Sequence, residues 1–157
     1  MPTVQFSKNI RKRGRQVVNS SSNLTRRMAV KTLKSLVHST KVDTGLARSN
    51  WRVGLGNPTS AVIEPYFKYP KHSKAQGQGI GETANARATI DAGRARINSV
   101  RGVSGVGLKT AIYISNNVPY IDKAMNGGAV EVAVLEARNE LRSFRVFDPR
   151  NDREEEA

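Results

Sequence analysis

The segment of residues 42–58 constrains the fold most, because its sequence predicts a tight corner that leads directly into a strand. Asp43 and Thr44 are residue types that cap helices, and Gly45 tolerates the positive φ that a sharp turn requires. After one helical turn, the residues from Trp51 onward alternate apolar side chains with Arg or Gly, which is typical of a half-buried strand. We therefore predict a positive φ at Gly45 and a Trp51 side chain that is at least half buried.

A long basic helix is predicted immediately before this corner. Residues 8–40 contain no proline, and their apolar side chains recur at spacings of three, four or seven, which is typical of one buried helix face. Ser7 is the candidate N-cap, after a short extended lead over residues 1–6. Residues 19–23 are poor helix formers, so this region is either one continuous helix or two helices separated by a kink.

Two further strands and a second helix are predicted beyond the corner. β-branched and aromatic residues favour strands over residues 60–63 and 110–115. Thr83 is the candidate N-cap of a helix over residues 84–100. The apolar spacing of this middle helix predicts an inner face of Ala86, Ile90, Ala92 or Gly93, and Ile97.

The C-terminal region predicts a helical turn over residues 120–126 and a helix over residues 129–144. Spacings of three and four in that helix predict a core-facing stripe of Val130, Val134, Ala137 and Leu141. The predicted fold class is α+β, an antiparallel β-sheet flanked by a long N-terminal helix, a middle helix and a C-terminal helix. We predict one domain over residues 1–144, in which residues 66–107 are an inserted helix with flexible arms, and a polar tail over residues 145–157.

Charge is strongly segregated along the chain. The 26 Lys and Arg residues outnumber the 13 Asp and Glu residues, and no acidic residue precedes Asp43. Acidic residues concentrate in residues 131–156, which are a candidate acidic surface. This asymmetry indicates an anionic partner for the N-terminal half, either nucleic acid or an acidic protein face, and the alternative is a solvated helix face. The candidate contacts are Arg11, Lys12, Arg13, Arg15, Arg26 and Arg27.

The composition and motifs disfavour several classes of function. The chain has no cysteine, no long apolar run and no apolar leader after Met1, so we predict a soluble protein of a reducing cytoplasm that does not span a membrane. His38 and His72 stand apart from other ligand residues, which gives metal binding little support. No phosphate-binding Gly-Lys-Ser/Thr element and no Gly-x-Ser-x-Gly sequence is present. We therefore predict no enzyme activity, no catalytic residue, no metal and no cofactor.

Three short segments carry alternative interpretations. Residues 43–45 have the sequence found at aspartic protease active sites, where a strand-borne Asp shares a proton with a second Asp. A homodimer could supply the second Asp, but residues 39–41 are polar and the downstream apolar-apolar-Gly strand of such sites is missing, so a turn is favoured. Residues 66–72 interleave aromatic and basic side chains, which suits either an interface loop or the stacking of nucleic-acid bases. Residues 76–81 are glycine-rich but lack the preceding strand of a dinucleotide site.

The sequence resembles neck and tail-completion proteins of tailed bacteriophages over about residues 37–128. One matching set consists of Asp43, Thr44, Gly45, Ala47, Arg48, Asn50, Trp51, Asn57 and Pro58. A second set is the run Tyr113-Ile114-Ser115-Asn116-Asn117-Val118-Pro119-Tyr120-Ile121, followed by Gly127-Gly128. Between them, residues 88–93 resemble a helix of longer family members. The chain departs from the family at residues 123–129, where members usually have an acidic residue, a Gly-Ser or Gly-Thr pair and an Ala-Pro stretch.

This resemblance implies a structural virion protein of the phage neck. Such a protein forms a homo-oligomeric ring, six-fold or twelve-fold, that joins the DNA-filled head at its connector to the tail around the DNA channel. Its implied partners are copies of itself, the adjoining neck, connector and tail proteins, and packaged DNA in the channel. The implied assembly or turn motif consists of Asp43, Thr44, Gly45, Arg48, Asn50, Trp51, Asn117, Pro119 and Tyr120. The alternative function is a basic protein that contacts nucleic-acid phosphates through its N-terminal helix.

Overall fold

The computed structural model describes residues 2–41, 45–68, 80–100, 110–125 and 127–144. The described helices are α1 (Pro2–Ser39), α2 (Leu46–Ser49), α3 (Ile80–Asn98), α4 (Ile121–Ala124) and α5 (Ala129–Ser143). Strands β1 (Arg52–Leu55) and β2 (Ile112–Ser115) form an antiparallel pair. This arrangement confirms the predicted α+β class, with an antiparallel sheet and long N-terminal, middle and C-terminal helices.

Several predictions fall on residues outside these ranges. The residues outside the described ranges include Asp43 and Thr44 and most of the two predicted flexible arms. They also include the whole predicted polar tail over residues 145–157. The corner is therefore described from Gly45 onward.

Helix α1 is longer than predicted at its N-terminus. It begins at Pro2, so the predicted extended lead over residues 1–6 and the N-cap at Ser7 are both wrong. Proline suits the first turn of a helix, because its missing N–H would have no helical acceptor there. The helix also continues unbroken through residues 19–23. The hydroxyl of Ser22 in this stretch donates to the carbonyl of Val18 at 3.0 Å, which satisfies the polar side chain within the helix.

The two strands of the sheet lie within the segments that the sequence predicted. Arg52 is opposite Ser115 and Leu55 is opposite Ile112. The third predicted strand, residues 60–63, is not a strand. Its Ile63 N–H donates to Asn50 Oδ1 at 2.7 Å, and its carbonyl accepts from Asn50 Nδ2 at 2.8 Å. A side chain therefore supplies the hydrogen bonds that a neighbouring strand would otherwise provide.

The core lies where α1, α3, α5 and β1 meet. The largest completely buried apolar side chains are Leu33 and Val37 of α1 and Ile97 of α3. Gly93 brings α3 close to α1, because a Cβ at this position would overlap with Leu33. The cluster comprises Leu33, Leu36, Val37, Trp51, Val53, Ala86, Ile90, Ile97 and Ala133.

Helix α3 has the inner face that its sequence predicted but a different beginning. Ala86, Ile90 and Ile97 are buried, as is Gly93, whereas Ala92 is exposed. The helix begins at Ile80, so Thr83 lies inside its first turn and the predicted N-cap is wrong. The apolar spacing thus identified the face of the helix but not the position of its first residue.

Helix α5 packs through a different face from the one predicted. Val130, Val134 and Leu141 are 51%, 43% and 52% exposed. The buried residues are instead Ala129, Ala133 and Glu140. Small alanine side chains let α5 lie close against α1, and Glu140 finds basic partners there. The predicted core stripe of α5 is therefore largely an external surface of this chain.

Candidate functional site

Gly45 has the backbone conformation that the sequence predicted. Its φ is +84°, in the left-handed region where a Cβ is strained. A Cβ at this position would also overlap with Asn85 Nδ2 and lie 3.0 Å from the carbonyl oxygen of Phe67. Both the turn and the close approach of α3 therefore require glycine. Trp51 is 7% exposed, which confirms its predicted burial.

Two residues of the proposed motif connect the corner to the end of α1. Arg48 donates from Nε and Nη2 to the carbonyl of Thr40, at 3.2 and 2.6 Å. Trp51 Nε1 donates to the Thr40 hydroxyl at 2.8 Å, and that hydroxyl donates to the carbonyl of Leu36 at 2.7 Å. All of these groups are buried. Arg48 and Trp51 therefore hold the corner together rather than present a surface to a partner.

A buried asparagine on α3 holds the opposite side of the corner. Asn85 is completely buried, and its Oδ1 accepts from the Ser49 hydroxyl at 3.0 Å and from the Phe67 N–H at 2.8 Å. Its Nδ2 donates to the carbonyl of Phe67 at 2.9 Å. One side chain thus links α2, α3 and the loop after β1. The sequence analysis did not identify Asn85. The available signal was its position next to Ala86 on the inner face of a predicted helix, because a polar residue on a buried face usually has a hydrogen-bond partner.

The two segments that resemble the phage family lie against each other. Asn116, directly after β2, donates from Nδ2 to the carbonyl of Ala47 in α2 at 2.7 Å. Its neighbour Asn117 donates to a carbonyl in the loop after β1, that of Thr59, at 2.5 Å. Pro119 and Tyr120 follow and are exposed. The structure therefore brings Gly45, Arg48, Asn50, Trp51 and Asn117 into one connected corner and leaves Pro119 and Tyr120 on the surface.

The N-terminal part of α1 is an exposed, positively charged surface. Every residue from 7 to 17 is exposed. Four of its cations lie three, four and seven residues apart, a spacing that places them on one helix face. They are Lys8, Arg11, Lys12 and Arg15. Ile10 and Val17 lie seven residues apart on the other side and are 55% and 37% exposed.

Arg26 and Arg27, the other two predicted anionic contacts, have partners inside the chain. Arg26 donates to Asn23 Oδ1 at 3.1 Å and to the carbonyl of Val100 at 2.6 Å. Arg27 forms an ion pair with Glu140, and Lys31 Nζ lies 2.5 Å from the second carboxylate oxygen. Part of the predicted acidic surface therefore faces α1 of its own chain. The six predicted contacts therefore separate into four on the exposed N-terminal part of α1 and two, Arg26 and Arg27, that contact other parts of the same chain.

Glu140 is the one ionisable side chain in the described residues with a clearly displaced pKa. The hydrogen bond from Lys31 lowers the pKa of its carboxyl group below the usual value, and the charges of Arg27 and Lys31 act in the same direction. Burial opposes them by disfavouring the ionised form. The ionised carboxylate is therefore the form that holds α5 on α1.

We expect the attachment of α5 to weaken in acid. Because the folded pKa of Glu140 lies below its ordinary value of 4.5, its stabilisation is complete above that pH and is lost as the pH falls through the folded pKa. Denaturant unfolding between pH 6 and pH 2, roughly spanning that transition, measures this loss. Glu140→Gln should flatten the acid branch, whereas Glu131→Gln, exposed on the same helix, should leave it unchanged. Equal acid branches for all three proteins would contradict the assignment.

Basic side chains outnumber acidic ones around Glu140. A groove with a volume of about 390 Å³ is lined by Val30, Asn98, Glu140 and the cations Arg26, Arg27, Lys31 and Arg94. One carboxylate cannot neutralise four cations. A second positively charged region therefore lies where α1, α3 and α5 meet, and the uncharged residues 16–25 of α1 separate it from Arg15.

An exposed apolar surface accompanies this charge on α5. Val130, Val134 and Leu141 are four and seven residues apart, which places them along one stripe. Val132 and Leu135 are also exposed, by 49% and 54%. Clusters of exposed apolar side chains often mark protein contacts. The stripe is suited to packing against a second helix.

The described residues show neither a membrane-crossing helix nor a metal centre. Among the helices of the described ranges, none is both long and apolar enough to cross a membrane. The same part of the chain contains no cluster of three or more His, Asp or Glu side chains positioned to hold a metal ion. No family model, curated protein or solved structure matches this chain.

Proposed function

We propose that this chain is a structural protein of the bacteriophage neck. In this proposal it forms a ring of identical subunits that joins the head connector to the tail around the DNA channel, and it functions in the virion without catalysis. Its partners are neighbouring copies, adjoining neck, connector and tail proteins, and the DNA that passes through the channel. The resemblance in residues 37–128 supplies the biological context of the proposal.

The observation that carries this proposal is the contact between the two segments that resemble the phage family. They are distant in sequence, yet Asn116 binds the carbonyl of Ala47 directly. The matching residues Arg48, Asn50 and Trp51 are buried in the same corner. A set of residues that folds one corner of a scaffold, with no catalytic group among them, supports a structural role.

The outer surfaces of the chain support self-assembly. In a ring, one face of each subunit contacts a different face of the next subunit. The exposed basic part of α1 and the exposed apolar stripe of α5 are two such unlike surfaces within one chain. Charge on such a surface mainly sets recognition and association rate, while apolar burial supplies most of the contact energy.

Charge reversal on α1 tests this proposal. Changing Arg11, Lys12, Arg13 and Arg15 to Glu should abolish or strongly reduce assembly, as measured by analytical ultracentrifugation and electron microscopy. The monomer should remain folded, because all four side chains are exposed and single exposed ion pairs contribute only about 0–1 kcal/mol. Circular dichroism and thermal unfolding check the fold.

A matched control separates position from net charge. Changing Lys34, Lys41, Arg87 and Lys123 to Glu alters the net charge by the same amount at four other exposed positions. Assembly should persist in this control. A wild-type protein that remains monomeric at high concentration and with adjoining neck proteins would overturn the ring proposal.

DNA binding is the second candidate function, and the basic face of α1 is the observation that favours it. Lys8, Arg11, Lys12 and Arg15 line one helix face and can neutralise phosphates without reading base sequence. Binding of a short DNA duplex should then weaken with salt, with a log–log slope of about −0.9 per phosphate neutralised. If the α1 reversal abolishes DNA binding but leaves assembly intact, the helix faces nucleic acid. If it abolishes assembly alone, the helix faces protein.

A further inference from the structure

A second polar site lies between β1, α3 and the loop after β1, away from the basic part of α1. It is a cavity of about 320 Å³, far larger than the roughly 10–15 Å³ that one water molecule requires. Thr89 and Arg96 line it from α3, Arg52 from β1, and Thr59 and Tyr66 from the loop. Buried Trp51 also contributes to its wall.

The hydroxyl of Thr89 is buried without a partner, unlike three other hydroxyls of the described chain that bond to the backbone. Ser22, Thr25 and Thr40 each donate to the carbonyl four residues earlier, at 2.7–3.0 Å. The hydroxyl of Thr89 is buried, in a residue that is 2% exposed, and it has no hydrogen-bond partner in the described residues. A buried polar group without a partner costs roughly 1–3 kcal/mol. Such a group in a cavity wall indicates an external partner.

A buried guanidinium nitrogen of a residue that lines the same cavity also indicates an external partner. Arg52 Nη1 is buried and has no hydrogen-bond partner among the described residues. Arg96 adds a second guanidinium to the lining. It lies seven residues after Thr89, and this spacing places both on one face of α3. The cavity thus combines two positive charges with a hydroxyl donor, and none of its lining residues in the described part of the chain is acidic.

We propose that this cavity is a binding site for a small oxyanion, a carboxylate or a phosphate group. Guanidinium groups bind both anions through pairs of charge-assisted hydrogen bonds, and a threonine hydroxyl can donate a further one. The anion would satisfy the buried donors of Arg52 and Thr89 together. The site does not depend on the proposed neck function, because it is built within one chain.

Calorimetric titration of the full chain with inorganic phosphate, and separately with acetate, tests the proposal. Sodium chloride keeps the ionic strength equal in every titration, because a chain of net charge +13 attracts anions generally. We expect saturable binding of at least one probe with one site per chain. Saturation by acetate alone identifies a carboxylate site, and saturation by phosphate alone identifies a phosphate site. Saturation by both identifies a general oxyanion site that accepts either group.

Three variants assign that binding to the cavity. Arg96→Gln should weaken binding at least tenfold, and Thr89→Val, which removes the hydroxyl at nearly constant volume, should weaken it severalfold. Arg87→Gln removes an exposed arginine from the same helix outside the cavity lining and should leave binding unchanged. Arg96 is itself exposed, so its variant should fold. The proposal is overturned if neither probe saturates, or if Arg87→Gln weakens binding as much as Arg96→Gln.

Discussion

Gly45→Ala should destabilise the fold by roughly 2–5 kcal/mol. Left-handed backbone costs a non-glycine residue about 1–2 kcal/mol, and Gly45 has φ +84°. The new Cβ would also overlap with Asn85 Nδ2, and forced overpacking of a closely packed site typically costs about 1–3 kcal/mol. Because Asn85 is completely buried and hydrogen-bonded to Phe67, it cannot move without breaking those bonds. Urea unfolding of the two proteins measures the difference.

Gly128→Ala is the matched control for this experiment. Gly128 also has a positive φ, +78°, but a Cβ there would meet no atom within 4 Å. Gly128→Ala should therefore lower the free energy of unfolding only by the cost of a left-handed backbone at a non-glycine residue. The difference between the two variants isolates the close approach of α3 to the corner. If Gly45→Ala is no more destabilising than Gly128→Ala, the contact with Asn85 does not constrain the corner.

Asn85→Ala should be the second strongly destabilising change, by roughly 2–4 kcal/mol. It removes three hydrogen bonds and leaves the Ser49 hydroxyl, which lies in a completely buried residue, without its acceptor. A net hydrogen bond is worth about 0.5–1.5 kcal/mol, and an unsatisfied buried group costs about 1–3 kcal/mol. The loop after β1 should lose its attachment to α3, so amide exchange at Phe67 should accelerate more than exchange in α1.

Asn98→Ala provides the comparison on the same helix. Asn98 is exposed at the end of α3, so its replacement should change stability only slightly. Equal unfolding midpoints for the two asparagine variants, together with unchanged exchange at Phe67, would show that Asn85 does not hold the loop.

The corner was predictable because local chemistry determines most of it. Gly45 follows a capping pair, and the alternation after Trp51 has the period of a strand, so turn and strand could both be read from short patterns. The partners of the corner were not predictable in this way. Asn85 and Asn116 act across long sequence separations, and no local pattern shows which carbonyl or amide a distant asparagine will meet.

The orientation of α5 shows a second limit of prediction from residue spacing. The spacing of Val130, Val134 and Leu141 correctly indicates an apolar face, but spacing alone does not say whether that face packs inside one chain or against another molecule. The face that packs on α1 is marked by alanines and by Glu140, an acidic residue that sequence patterns place on the surface. Its burial depends on the nearby cations Arg27 and Lys31, which only the folded arrangement supplies.

The exposed N-terminal part of α1 also has an energetic consequence. Residues 7–17, all exposed, span roughly 16 Å of helix at 1.5 Å per residue, and a helix of that length is marginal in water without packing. Gly14 lowers the intrinsic stability of this helical segment. Within each of the pairs Lys8–Lys12 and Arg11–Arg15, the two like charges are one helical turn apart and repel each other. An anionic partner would remove this repulsion. Under the proposed anionic contact, folding of this segment and binding would be thermodynamically coupled, so the measured affinity would report the contact energy minus the cost of ordering the helix.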